Sequence, residues 1–301
     1  MTTLKGFASF FLAATIVSTL SAETHCPGNM ASVPFRIVNR HQMIVSVSVN
    51  RFGPYNFLFD TGTQITMLHP ALAASLHLAT QGTAEVVSVG THAPASFAHV
   101  GLLETGSHSV ANQNVLVYDL KNLPTDSLDI QGVLGEDFLE HFDMLIDNAH
   151  NLLCLAEPGA MRDAVKGTRI ALETSSKEDA TLPKSLIVVA RLSDGRRPVR
   201  LKLDSGTNVP LLYNTDDYMA LRVFRGSSLR GGANGSERTF MALPPQSVTI
   251  GSVEIQKVPF ITLVGARKDS RISDFDGLLT MGLFRRVFIN HADRFAILQP
   301  W

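Results

Sequence analysis

The alternation of apolar and polar residues along the chain predicts a protein built mainly from β-strands. Most segments alternate with a period of two and are interrupted by Gly or Pro roughly every 8 to 12 residues. This pattern is typical of antiparallel strands that bury one face. Residues 43–49 are a clear example, and residues 186–192 form a second, mostly apolar run. Helix is expected only at residues 70–76 and in a short turn at residues 137–141.

The first 22 residues follow a different pattern. Lys5 is their only charge, residues 7–20 are an apolar run, and Leu20-Ser21-Ala22 ends in small residues before Glu23. This is the pattern of a secretory signal peptide, and the run is short for a membrane span. We therefore expect an exported protein, periplasmic or secreted, and an uncleaved anchor is the alternative. No later segment approaches about 18 uninterrupted apolar residues, so no membrane span is expected after signal removal.

The chain contains one pattern twice. Residues 57–68, which include Asp-Thr-Gly-Thr, reappear 144 residues later as residues 201–212, which include Asp-Ser-Gly-Thr. Downstream, Gly-Val-Leu-Gly at 132–135 corresponds to Gly-Leu-Leu-Thr at 277–280. The repeat predicts a mainly β fold of two pseudo-symmetric lobes with the active site between them. The expected boundaries are a signal peptide at 1–22, an N-terminal lobe at 23–158, a linker at 159–167 and a C-terminal lobe at 168–301.

The composition indicates a soluble globular protein. Of the 301 residues, 45% are hydrophobic and 18% are charged, which excludes a largely disordered chain. Lys and Arg number 26 against 27 Asp and Glu, which gives a net charge of -1. A nucleic-acid-binding protein usually carries a basic excess, so no nucleic acid partner is expected.

The two cysteines, Cys26 and Cys154, lie at the two ends of the first predicted lobe. Two cysteines often pair in an oxidising compartment, so export predicts a disulfide between them. Two buried free thiols are the alternative. The sequence contains neither a Cys-x-x-Cys pair nor a His-Glu-x-x-His motif, and no metal site is expected.

An apolar strand that runs into Asp-Thr/Ser-Gly-Thr, followed about 75 residues later by an apolar-apolar-Gly segment, resembles the aspartic peptidases. Two such units in one chain resemble a pepsin-type bilobal enzyme or two fused retropepsin-like units. The resemblance covers nearly all of the chain after the signal segment. It implies an acid-protease fold, a peptide or protein substrate, a monomer and no cofactor.

The resemblance also implies roles for individual residues. Asp60 and Asp204 would form the catalytic pair, because two adjacent carboxyls share one proton and so divide the base and acid roles. Gly62 and Gly206 would allow a tight turn that points an N–H at each carboxylate. The other supporting residues are Thr61 and Ser205, whose hydroxyls would cross-link the two loops, Thr63 and Thr207, whose hydroxyls would reach the carboxylates, and Gly135, which would support the first aspartate from beneath.

Two features depart from the family pattern. Thr280 stands where the family packs a glycine, so the second supporting loop is expected to be displaced. The hairpin of residues 87–97, expected to turn at 90–94, lacks the tyrosine usual in a pepsin-type flap. Residues 229–240 would form a second flap, as in retropepsins. The candidate flap glycines are Gly90, Gly231 and Gly232.

The duplication of the Asp-Thr/Ser-Gly motif favours a catalytic interpretation, because a single Asp-Thr-Gly is an ordinary turn sequence. Phosphotransferases with a nucleophilic aspartate share Asp-Thr-Gly-Thr, but their parallel α/β sheets do not fit this pattern. A serine hydrolase is unsupported, since no Gly-x-Ser-x-Gly elbow occurs. We expect an aspartic endopeptidase that activates a water between Asp60 and Asp204. The alternative is a catalytically weak relative that serves as a peptide-binding or interaction module, which Thr280 and the missing tyrosine favour.

Overall fold

The protein is described by a computed structural model over residues 25–28, 30–88, 91–120, 123, 128–177, 179–213, 228–231, 238–263 and 274–301. Strands dominate, as the period-two pattern predicts. The first half contains β1 (Ala31–Ser32), β2 (Phe35–Val38), β3 (Gln42–Val49), β4 (Phe52–Phe59), β5 (Met67–Leu68), α1 (Pro70–Ser75), β6 (Thr80–Ser88), β7 (Thr91–Thr105), β8 (His108–Val117), β9 (Gly132–Leu134), α2 (Glu136–Leu139), β10 (Asp143–Asp147) and β11 (Leu152–Ala156).

The second half repeats much of this order. It contains β12 (Arg169–Ala171), β13 (Ile187–Leu192), β14 (Val199–Asp204), β15 (Leu211–Leu212), β16 (Ser228–Gly231), β17 (Arg238–Ala242), β18 (Gln246–Ile250), β19 (Val253–Val258), β20 (Ile261–Leu263), β21 (Gly277–Thr280), a 3₁₀ turn (Met281–Leu283), β22 (Phe284–Asn290) and β23 (Phe295–Pro300).

Each half builds its own large sheet around the same arrangement. Eight described strands of the first half lie in the order β2-β3-β4-β9-β5-β8-β7-β6, and nine of the second lie in the order β16-β17-β20-β15-β21-β14-β13-β18-β19. In both sheets the strand that leads to an aspartate pairs in parallel with the strand of the downstream motif, β4 with β9 and β14 with β21. The repeated sequence therefore folds as a repeated structure.

A six-stranded sheet joins the halves, in the order β1-β11-β10-β22-β23-β12. Its central pair is β10 with β22, which places Leu145 opposite Phe288. Both residues are almost fully buried. The closing strands of the two halves thus form one shared layer, a connection that the internal repeat alone does not reveal.

The two helices in the described part of the chain lie close to where the sequence places them. α1 begins with Pro70, whose missing N–H is no loss in the first turn of a helix, and the ring of His69 accepts a hydrogen bond from the Ala71 N–H. Leu72 and Ala73 are its buried residues. α2 begins at Glu136, one residue earlier than expected, because Gly135 is its N-cap.

Candidate active site

Asp60 and Asp204 stand at corresponding places in the two halves, at the ends of β4 and β14. Side chains alternate along a strand, so Leu201 and Leu203 of β14 point into the core while Lys202 and Asp204 share the opposite face. In the first half Phe57 and Phe59 anchor β4 in the same core and are 0% exposed. The buried apolar residues therefore fix where each aspartate leaves its strand.

The structure brings the two carboxyls together across the two halves. A Cβ built on Gly62 would lie 2.5 Å from Asp204 Cγ, and one built on Gly206 would overlap the carboxyl carbon of Asp60. Each loop thus packs its glycine against the aspartate of the other loop, an approach that only a residue without a side chain permits. The arrangement is reciprocal, as expected for a proton-sharing pair.

Each carboxylate accepts two hydrogen bonds from its own loop. Asp60 Oδ1 accepts from the Gly62 N–H at 2.7 Å, and Asp60 Oδ2 accepts from the Thr63 hydroxyl at 2.8 Å. Asp204 Oδ1 accepts from the N–H groups of Gly206 at 2.8 Å and Thr207 at 3.0 Å. These donors hold both carboxyls in fixed orientations.

The hydroxyl of Thr207 departs from expectation. It donates to the Val209 carbonyl at 3.1 Å, so the bond from Thr207 to Asp204 comes from the backbone N–H instead. The prediction that both threonine hydroxyls reach a carboxylate is therefore correct for Thr63 and wrong for Thr207. The physical reason is competition, because a threonine hydroxyl near a turn readily bonds to a local carbonyl.

Thr61 and Ser205 cross-link the two loops, and both are buried. The Thr61 hydroxyl accepts from the Ser205 N–H at 3.1 Å and donates to the Leu203 carbonyl at 3.0 Å. In return, the Ser205 hydroxyl accepts from the Thr61 N–H at 3.1 Å and donates to the Phe59 carbonyl at 2.9 Å. Below, we call these four hydrogen bonds the loop clasp. Every donor and acceptor in it is satisfied, so the two loops are held in one relative position.

Burial and the neighbouring charge of Asp60 raise the pKa of Asp204 to about 7. The charge of Lys202 and the N–H groups of Gly206 and Thr207 act in the opposite direction. Two adjacent carboxyls that cannot both ionise are expected to behave in this way. The pair therefore keeps one proton well above the pH at which an isolated aspartic acid loses it.

Comparison with known proteins agrees with this geometry. Residues 45–138 match the family described as aspartyl protease. The fold is similar to the crystal structure of the aspartic proteinase from Irpex lacteus, with a TM-score of 0.51, 12% sequence identity, and coverage of 90% of this chain and 97% of that one. No curated protein matches the sequence significantly. The family match is confined to residues 45–138, and at 12% identity the structural likeness shows the fold of an aspartic proteinase.

Two further contacts tie each aspartate loop to the opposite half. Lys202 Nζ donates to the Gly62 carbonyl at 2.8 Å, and Gln42 Nε2 donates to the Gly206 carbonyl at 2.5 Å. Both side chains are 5% exposed. Sequence reasoning missed these residues, although one signal existed, because Lys202 stands where the first copy of the repeat has Leu58.

The supporting loops differ between the halves. Gly135 packs so tightly that a Cβ there would lie 3.0 Å from backbone atoms of Thr63, Ile65 and Thr66. At the equivalent position Thr280 is 2% exposed and pairs with Asp204 in the β14–β21 register. The Thr280 hydroxyl accepts from the Gly282 N–H at 3.4 Å and begins the 3₁₀ turn. The second loop therefore accommodates threonine by forming a different turn while the register of the strand is kept.

A buried pair lies behind the first supporting loop. Glu136, which follows Gly135, is 0% exposed, and its Oε2 lies 3.1 Å from His291 Nε2 of the second half. Burial lowers the pKa of His291, but the charge of Glu136 and hydrogen bonds to Glu136 and the Phe142 carbonyl outweigh it, so the pKa is raised overall. Burial also raises the pKa of nearby Asp137 to about 6. This contact between the halves is therefore sensitive to pH.

The two expected flaps are hairpins in the structure. Ser88 pairs with Thr91, so residues 91–94 belong to strand β7 and not to the turn that was predicted at 90–94. Gly90 and Gly232 lie outside the described residues, and Gly231 ends β16, which pairs with β17.

The predicted disulfide is present, with a Cα–Cα distance of 5.8 Å between Cys26 and Cys154. Among the described residues there is no cluster of three or more His, Cys, Asp or Glu side chains that would hold a metal ion. In the same part of the chain, no helix is long and apolar enough to cross a membrane. The predicted signal peptide at 1–22 lies outside the described residues.

Proposed function

We propose that the protein is an aspartic endopeptidase that hydrolyses peptide bonds with a water molecule activated between Asp60 and Asp204. The observation that carries this proposal is the reciprocal packing of each glycine, Gly62 and Gly206, against the carboxyl of the other half. The loop clasp supports it further, because a fixed pair of carboxyls is what the reaction requires. The lobes would span 23–158 and 168–301, with a linker at 159–167.

Burial and the charge of Asp60 raise the pKa of Asp204, so the two carboxyls share one proton, which belongs to the pair. The ionised carboxylate of the pair removes a proton from the water as its oxygen attacks the peptide carbonyl carbon, and the protonated carboxyl gives its proton to the carbonyl oxygen. The proton taken from the water then passes from the carboxyl that accepted it to the amine nitrogen as the C–N bond breaks, and a hydroxyl proton of the tetrahedral intermediate returns to the other carboxylate as the carbonyl re-forms. The carboxyl pair thus supplies both the base and the acid.

The test is peptidase activity of the purified protein on a denatured protein substrate at acid pH. Asp60→Asn and Asp204→Asn should each abolish turnover and leave the far-ultraviolet circular dichroism unchanged. Asp163→Asn is the matched control, since the Asp163 side chain is 81% exposed and lies outside the site. Activity close to wild type in either Asp60 or Asp204 variant would contradict the mechanism.

The same preparation distinguishes the alternative function. A peptide with a statine-type hydroxyl should inhibit the peptidase, because its tetrahedral carbinol resembles the hydrated transition state. Binding of that peptide without any hydrolysis of substrates would instead support a peptide-binding module.

Export to the periplasm or the medium belongs to the same proposal. It is supported by the apolar segment at residues 7–20 and by the Cys26–Cys154 disulfide. Sequencing the N-terminus of the protein recovered from its native host tests it, with Glu23 expected as the first residue.

A further inference from the structure

Lys202 is a buried cation next to the two aspartates. It is 5% exposed, lies on the same face of β14 as Asp204, and donates a hydrogen bond to the Gly62 carbonyl at 2.8 Å. Its ammonium also lies 5.7 Å from the centre of the Phe275 ring. A buried ammonium is costly unless a negative charge compensates it, so a lysine at this place calls for an explanation.

The first half shows that the fold does not require a lysine here. Leu58 occupies the position equivalent to Lys202, is 2% exposed, and packs in an apolar cluster with Val133 and Ile130. The strand neighbours of Lys202 are apolar as well, since it lies opposite Ile187 of β13 and Leu278 of β21. A leucine would suit this environment better, and the charge therefore serves something other than packing.

The titratable groups around this lysine identify its counter-charge. Asp204 belongs to the same strand, and Asp60 lies in the loop whose carbonyl the lysine binds. The carboxylate of Asp276, just before β21, is bound by both terminal nitrogens of Arg197 at 3.1 Å. Tyr213, after β15, has its pKa raised by burial and by the Asp204 charge, so it stays neutral. The single negative charge shared by the aspartate pair is what remains to balance the lysine.

We propose that Lys202 is a positioning residue that holds the Gly62 loop. Its charge also shifts to lower pH the range in which the aspartate pair carries a single negative charge. The proposal rests on the proposed peptidase function. A positive charge nearby makes the second protonation of the pair harder and the loss of its last proton easier. The charge of Lys202 indeed acts to lower the pKa of Asp204. Both limbs of the pH–activity profile should therefore lie at lower pH than they would without the lysine.

The test compares Lys202→Leu, which installs the residue of the first half, with Lys202→Arg, which keeps the charge. The leucine variant should move both limbs of the kcat/KM profile to higher pH by about one unit, and the arginine variant should leave them near the wild-type positions. A merely structural role would lower kcat and leave the limbs in place. Unmoved limbs in Lys202→Leu, or an equal movement in both variants, would overturn the proposal.

A second measurement separates this proposal from the peptidase function. Carbon-13 NMR titration of the aspartate carboxyls reports the ionisation of the pair without any turnover, with Asp60→Asn used to assign the signals. If the wild-type protein is inactive on every substrate, the proposed function fails, but an upward shift of the titration in Lys202→Leu still supports the role of the lysine. Should the leucine variant not fold, Lys202→Met is the replacement, and an unshifted titration in it overturns the proposal.

Discussion

Replacing Thr61 with valine tests whether the loop clasp holds the two halves together. The side chain is 0% exposed, and valine keeps its shape while removing the hydroxyl. The Ser205 N–H then loses its acceptor and the Leu203 carbonyl loses its donor. A buried polar group left without a partner costs about 1 to 3 kcal/mol, so two of them should lower the free energy of unfolding by about 4 kcal/mol.

Urea unfolding followed by circular dichroism measures this effect. The midpoint should fall while the slope m stays constant, because the surface exposed on unfolding is unchanged. Thr63→Val is the matched control, since its hydroxyl makes a bond to Asp60 outside the clasp. We expect the control to alter the pH–activity profile but to change stability by less than about 1 kcal/mol.

A double-mutant cycle with Ser205→Ala makes the test sharper. Ser205→Ala orphans the other two partners, the Thr61 N–H and the Phe59 carbonyl. If the clasp acts as a unit, either change lets the loops separate and admit water, so the double variant should cost less than the sum of the single variants by about 1 kcal/mol or more. A loss below about 1 kcal/mol in Thr61→Val, or additivity of the two changes, would refute the reasoning.

Three other changes have expected outcomes. Reducing the Cys26–Cys154 disulfide, which spans 128 residues, should lower the free energy of unfolding by about 5 kcal/mol, measured by urea unfolding with and without reductant; no change would mean that the link does not restrain the unfolded chain. Gly62→Ala should abolish peptidase activity, because its Cβ would lie 2.5 Å from Asp204 Cγ, and an active alanine variant would show that the loop can move away. Because the pKa of His291 is higher in the folded than in the unfolded state, protonation of this side chain stabilises the fold, fully so below about pH 6.5. The stabilisation is lost as the pH rises through the pKa of the folded state. Thermal unfolding across that range should therefore show a fall in stability that His291→Gln removes, and an identical pH dependence in both proteins would exclude this histidine.

The sequence predicts the strands and the aspartate pair well, because both depend on local patterns. The alternation in residues 43–49 and the repeat around Asp60 and Asp204 are visible without any tertiary information. The cross-link by Thr61 and Ser205 was expected only from the resemblance to the aspartic peptidases, and the structure contains it.

What the sequence does not predict depends on contacts between distant segments. The reach of Lys202 and Gln42 to the opposite loop depends on how the halves meet, over sequence separations of 140 and 164 residues. The rotation of the Thr207 hydroxyl towards Val209 is a choice between two nearby acceptors, which residue type alone does not decide. The shared six-stranded sheet was hidden for a similar reason, because strand alternation shows that a strand exists but not its partner.

The central strands of the shared sheet pair in a self-complementary way. Leu145 lies opposite its own equivalent, Phe288. On either side of this pair, Met144 lies opposite Ile289 and Ile146 lies opposite Val287, so equivalent residues of the two halves exchange places. This is the isologous contact of a twofold homodimer, here within one polypeptide. A dimer of identical half-chains would surround its carboxyl pair with either two leucines or two lysines. Covalent fusion removes that restriction, and it lets this chain place Leu58 on one side and a single cation, Lys202, on the other.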